Sequence, residues 1–270
     1  MTGAVVAFDP FAPGSVATLA LFGARVSGLM IMAPVFSSTV IPREVRVALL
    51  VTLTVLLEPV ALASATTSAR GVPALSAPAF LSEVLIGMAI GFGAALMVGA
   101  AEAAGDVMAV QIGLSGAAIL DPINNSQVPI LGSFMQLFAI ALLLSLDLHL
   151  GMLQALADST SALPVGVPVD VTQGVGAMLK LAGALFAFGA RFAAPVIAVV
   201  LIANVALAVL GRAAPQLNVL TVSFPVQITL GLMSLVAALP AIGRFFTGWR
   251  GISDGMLTTI VHGFTAVATH

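Results

Sequence analysis

Ser115 stands in the string Gly113-Leu114-Ser115-Gly116, a GxSG pattern whose chemistry would be nucleophilic attack on a carbonyl. Such a serine works only beside an oriented base and donors for the oxyanion. His149 is the one conceivable base close downstream, and no histidine precedes it, the others falling at positions 262 and 270. In a chain with 26 glycines the string arises readily by chance, and no Walker loop, GxGxxG turn or HExxH string accompanies it. Scattered histidines and the absence of cysteine argue against a metal cluster, a thiolate nucleophile and a disulfide framework. The remaining reactive groups are single charges within apolar runs: Arg25, Glu58, Glu83, Glu102 and Arg191. An arginine at mid-membrane costs roughly 2.5 to 3.5 kcal/mol, so Arg25 and Arg191 are expected as buried charges facing protein or water. For Arg25 the expected arrangement is an interhelical ion pair, with Glu58, Glu83 and Glu102 as the carboxylates to screen. Glu83 and Glu102, near the two ends of their helix, are nevertheless expected to reach the membrane interfaces rather than to pair with Arg25 or Arg191. These residues predict no enzyme and no cofactor.

The longest departure from apolar sequence is Gly105 to Pro129, GDVMAVQIGLSGAAILDPINNSQVP. It mixes Asp106, Gln111, Ser115, Asp121, Asn124, Asn125, Ser126 and Gln127 with three glycines, which neither spans lipid comfortably nor builds a soluble core. Glycine permits positive φ and close backbone approach, and Asp121-Pro122 predicts a turn. This stretch is the expected working part of the chain.

What surrounds it is membrane helix. Apolar residues make up 60% of the 270 positions and charged residues only 7%, against about 25% charged in a soluble domain. The mean hydropathy is +1.17. A net charge of −2 with singly scattered Lys and Arg offers nothing to nucleic acid. The N-terminus has no positive region ahead of its apolar residues and does not read as a cleavable signal.

A spanning helix needs about 20 apolar residues, and on that ruler the chain divides into 14–33, 43–63, 79–104, 130–157, an overlong 174–210 and 219–239. Pro34 and Pro42 bound the first turn, and Glu44 lies near the positive end of the second helix. Gly87, Gly91, Ala95 and Gly99 recur at four-residue spacing, a small-residue face against which another helix can lie closely. Residues 158–173 hold two prolines and no spanning run, and read as the main internal boundary. With Pro195 and Arg191 inside it, 174–210 is either kinked or projects beyond the bilayer. Phe245, Trp249, Ile252, Met256, Ile260 and Phe264 predict an amphipathic tail. Charge leaves orientation almost tied: placing Arg43, Arg46 and Arg212 inside puts Arg70, Arg244 and Arg250 outside.

Two membrane classes compete with a structural role. Intramembrane rhomboid proteases carry GxSG, but the upstream histidine- and asparagine-containing segment they use is missing. A secondary transporter would use broken helices and mid-membrane charges; the turns at 33–42 and 214–225 share only two prolines, and no internal repeat is visible.

Several strings instead coincide, in order, with one family. They are Arg25, Gly28, APVF at 33–36 and Pro42; GMAIGF at 87–92; AGDVMAVQIGLSGAAILDP at 104–122; SALPVG at 161–166; and the long run from Ala194 to Leu232. On these the chain resembles the FliR family of flagellar type III export-gate proteins, with the virulence-system counterpart as the second subtype.

That resemblance implies an all-α fold of polytopic membrane helices, a FliP-like part over 1–170 and a FliQ-like helical hairpin with its tail over 171–270. It implies a structural and gating role in the bacterial cytoplasmic membrane, at the flagellar basal body. The implied partners are FliP-like and FliQ-like gate subunits, an FlhB-like export protein and the exported flagellar proteins. In the family much of the gate is raised above the bilayer plane, so hydropathy overstates lipid contact. The family's pore plug corresponds to an internal loop at 105–122, here Gly105, Gln111, Gly113, Leu114, Ser115, Gly116, Ala117, Ala118, Asp121 and Pro122. The turn with Arg212, Pro215, Gln216 and Asn218 corresponds to the cytoplasmic entrance.

Overall fold

Proline and glycine set most of the helix ends. In the computed structural model, residues 14–38, 41–67, 75–114, 130–167, 169, 171–216 and 219–248 are described. Helix α1 (Ser15–Met32) follows Gly14 at φ 87° and stops at Ala33, whose extended backbone is what a residue before proline requires. Pro34 opens the single turn α2 (Pro34–Ser37). Helix α3 (Arg43–Thr67) begins behind Pro42 with Glu44 in its first turn. Arg46 reaches back from α3 to donate to the Ser38 carbonyl at 2.8 Å, closing the end of α2.

Helix α4 (Ala77–Ile112) is 36 residues long, about 54 Å at 1.5 Å per residue. It therefore includes Gly105 and Gln111, which the sequence reading assigned to a loop. The physical reason is burial: Ala101, Ala104, Met108 and Ile112 recur at helical spacing and are all buried. The helix stops at Gly113, at φ 85°, where the Leu114 amide donates to the Ala109 carbonyl and the Gly113 amide to that of Val110. This is a Schellman ending, which needs the left-handed residue that glycine supplies.

The expected helix 130–157 is two helices, α5 (Ile130–Ser145) and α6 (Leu148–Ala162), bent by 66°. The break sits at Asp147, at φ 55°, one of the few residue types that tolerates a left-handed conformation. Helix α6 then runs on through residues 158–162 of the expected boundary segment. Helix α7 (Val171–Ala213) continues past Pro195 as one 43-residue helix, about 65 Å long. Helix α8 (Val219–Thr247) contains Pro225 and Pro240 and takes in Phe245; the rest of the expected tail lies outside the described residues. The described chain is all helical, and five helices are long and apolar enough to cross a membrane, or six counting α5 and α6 as one bent span.

The chain forms two compact units, with divisions inside α4, between α5 and α6, and inside α7. One comprises described residues of Met1–Ala95 and Asp147–Ala182, the other Leu96–Leu146 and Gly183–Trp249. In the first, Leu21, Phe22, Val26 and Leu29 of α1 are fully buried. Here α1 and α4 interlock backbone to backbone: a Cβ on Gly28 would fall on the Val84 carbonyl, and one on Gly87 on the Arg25 carbonyl. Gly91 continues this face, 2.9 Å from the Leu29 carbonyl by the same measure, while Ala95 and Gly99 further along α4 are half-buried. The helix lying on the first part of the small-residue face is thus α1 of the same chain.

In the second unit Met97, Met108, Met135, Val196 and Val200 form the core, and Phe188 and Phe192 of α7 pack on Phe245 with ring centroids 5.0 and 5.1 Å apart. Helices α4 and α5 cross at glycine: a Cβ on Gly105 would lie 2.5 Å from the Leu131 carbonyl and 2.8 Å from the Gly132 Cα. Even Gly105→Ala is therefore expected to destabilise the chain, by about 1 to 3 kcal/mol for an overpacked site. A thermal melt of the purified protein in detergent checks this, and an unchanged midpoint would contradict the close crossing.

Candidate functional site: the buried ion pair and the end of α4

Arg25 is fully buried in the first unit, and every group it meets comes from a different part of the chain. Its Nε donates to Glu83 Oε2 on α4 at 2.6 Å, Nη1 to Ser159 Oγ on α6 at 2.9 Å, and Nη2 to the Leu163 carbonyl at 2.9 Å. Glu83, also fully buried, accepts a second bond at its other oxygen from the Gly166 amide at 2.8 Å. Both charges are thus paired and their remaining polar capacity largely met, which is the condition for an ion pair to survive burial. The network ties α1, α4 and α6 to the 163–166 turn.

The other charges are disposed differently. Glu58 is buried on α3, and its Oε1 has no hydrogen-bond partner. Glu102 accepts from Gln136 on α5 at 2.8 Å. Arg191, expected to be buried, is exposed on α7, where the residues turned inward are its neighbours Phe192, Ala193 and Val196. His149 lies half-buried at the start of α6 with its Nδ1 unpartnered.

The expected plug residues straddle the limit of what is described. Gly105 is buried in the α4–α5 crossing, Gln111 is exposed near the end of α4, and Gly113 and Leu114 form the terminal turn. Ser115, Gly116, Ala117, Ala118, Asp121 and Pro122 lie outside the described residues. The α4 terminus rests on α8: Ile112 fills the space where a Gly231 side chain would stand, and Gly113 sits beside Phe224 and Gln227. Gln227 in turn donates from Nε2 to Asn204 Oδ1 on α7 at 2.6 Å. Sequence reading passed over this amide pair; its signal was two carboxamides within otherwise apolar helices, where such groups seek each other. Of the expected entrance turn, Arg212 is exposed in the last turn of α7, Pro215 and Gln216 form an exposed turn, and Asn218 lies outside the described residues.

Comparison with known proteins adds the family. A family model describing bacterial export proteins, family 1, matches residues 16–250. The chain is 34% identical to the flagellar biosynthetic protein FliR of Pectobacterium carotovorum subsp. carotovorum, over 82% of this chain and 84% of that protein. To FliR of Escherichia coli (strain K12) it is 31% identical over the same shares, 82% and 84%. To FliR of Caulobacter vibrioides (strain ATCC 19089 / CIP 103742 / CB 15) it is 26% identical over 84% and 90%. A match over this much of the sequence, borne by an all-α chain of membrane-length helices, makes this protein a member of family 1 of the bacterial export proteins.

Proposed function

We propose that this protein is a structural and gating subunit of a flagellar type III protein export gate, helping to close the path by which unfolded flagellar proteins leave the cytoplasm. The observation that carries this reading is the family match over residues 16–250. The named relatives favour the flagellar branch over its virulence-system counterpart. On this reading the chain sits in the bacterial inner membrane at the basal body, among FliP-like and FliQ-like subunits and an FlhB-like protein. Its first 170 residues take the FliP-like role and the α7–α8 hairpin the FliQ-like one, with the turn at Arg212–Gln216 toward the cytoplasm. Exposed apolar residues along the hairpin, among them Leu201, Ile202, Val205, Met233 and Val236, are suited to lipid or neighbouring helices.

The gate segment in this reading starts at Gly113, where α4 ends, and includes Leu114, Ser115, Gly116, Ala117 and Ala118. Small uncharged side chains suit a closure that must move aside without stripping a hydration shell. Deleting Ser115–Ala118, which spares α4, is expected to leave the membrane complex recoverable while collapsing the membrane potential through ion leak. Recovery and potential are measured in the same cells, with Ser115→Ala expected to change neither. A recovered complex with a normal potential rejects the assignment, and loss of function in Ser115→Ala would reopen a protease.

A further inference from the structure

The α4 terminus rests on α8 through one glycine-dependent fit, at Gly231, and through the Phe224 and Gln227 side chains beside Gly113. Gly231 leaves a notch on α8 occupied by Ile112: a Cβ there would lie 2.8 Å from Ile112 Cδ1 and 3.3 Å from its Cβ. One helical turn earlier on α8, Gln227 presents Oε1 to Gly113, 3.4 Å from where a Cβ would be, with the Phe224 ring at the same distance. The Gly113 and Leu114 amides are already used in ending the helix, so they do not anchor this turn to α8. What fixes the Gln227 side chain is α7, through the 2.6 Å bond from its Nε2 to Asn204 Oδ1. A primary amide so held cannot swing away from the Gly113 turn without giving up that bond.

We infer that Gln227, oriented by Asn204, is a positioning residue through which the α7–α8 hairpin sets the place of the α4 exit turn. A shift of α7 against α8 then reaches Gly113 directly, without passing through the rest of the chain. The consequence for closure rests on the gating role proposed above; the mechanical coupling does not.

The chain contains no cysteine, so an introduced pair reports without background. Ile112→Cys with Gly231→Cys removes the branch that would clash, and the 3.3 Å between the two Cβ positions is near the roughly 3.5 to 4.5 Å of a disulfide. In membranes carrying the full-length chain in its complex, this pair is expected to cross-link on mild oxidation. Adding Gln227→Leu or Asn204→Leu should slow the cross-link about three- to tenfold, the worth of one such hydrogen bond, with complex recovery unchanged. The exchange Asn204→Gln with Gln227→Asn, which keeps both amides, should restore part of the rate. If the cysteine pair lowers recovery, maleimide labelling of a single Leu114→Cys replaces it, with labelling quickened by the same leucine variants. Unchanged rates in both leucine variants, or a loss of recovery that parallels the rate, would overturn the coupling. Altered rates alongside a normal membrane potential after Ser115–Ala118 deletion would leave the coupling standing and remove only the gating role.

Discussion

Glu83→Ala is expected to cost roughly 3 to 5 kcal/mol, because it strands a fully buried guanidinium that has no neutral form at accessible pH. Arg25 would keep its bonds to Ser159 and the Leu163 carbonyl, but neither is an anion. The effect should appear as a large fall in folded protein recovered from membranes. Arg25→Leu should be milder, since the carboxyl left behind keeps the Gly166 amide as a donor and has a neutral form. The double variant Arg25→Leu with Glu83→Ala should recover much of the loss, as removing both charges of a buried pair often does. Size-exclusion recovery in mild detergent across the four chains measures the coupling. A double variant no better than Glu83→Ala alone would refute the pair as a mutual requirement, and would assign Glu83 a separate duty at the 163–166 turn.

Gly87→Leu is expected to be at least as damaging, for a steric reason. The new Cβ would fall on the Arg25 carbonyl, with the Arg25 carbonyl carbon at 2.8 Å and the Leu29 amide nitrogen at 2.9 Å. These are backbone atoms of a packed helix and cannot rotate aside, so α1 and α4 must separate. Gly28 doubles the constraint from the other side, since its own close approach is to the α4 backbone at Val84 and Met88. Separation also pulls Arg25 away from Glu83, adding an unpaired buried charge to the overpacking, which by itself costs about 1 to 3 kcal/mol. Gly91→Leu meets the end of α1 at 2.9 to 3.2 Å, where Met32 Cβ is one of the neighbours, and should do less harm. The order Gly87 above Gly91 in lost recovery is the test. The reverse order would place the tight crossing elsewhere.

Much of this protein was legible in its residues because the signals are local. Sixty per cent apolar composition with 7% charge specifies membrane helices, prolines at 34 and 42 bound the first turn, and the four-residue spacing of Gly87 and Gly91 marks a face for close packing. The ordered strings from Arg25 to Leu232 carried the family resemblance without any coordinates. Other features depend on groups far apart in the chain. Glu83 was one carboxylate among three candidates, and its selection needed Ser159, Leu163 and Gly166, from a stretch that alone looks only like a linker. The helical state of Gly105 to Ile112 went unread because glycine and polar residues signal a loop locally; burial of Met108 and Ile112, and a neighbour that passes over Gly105, override that signal. The break at Asp147 lies in an apolar run with no proline or glycine to announce it. Arg191 looked like a buried charge because its neighbours in sequence are apolar, yet a helix turns residues to different sides, and which side meets solvent is decided by what packs against it. Local sequence sets where helices can form; which polar groups meet is settled only when distant segments are brought together.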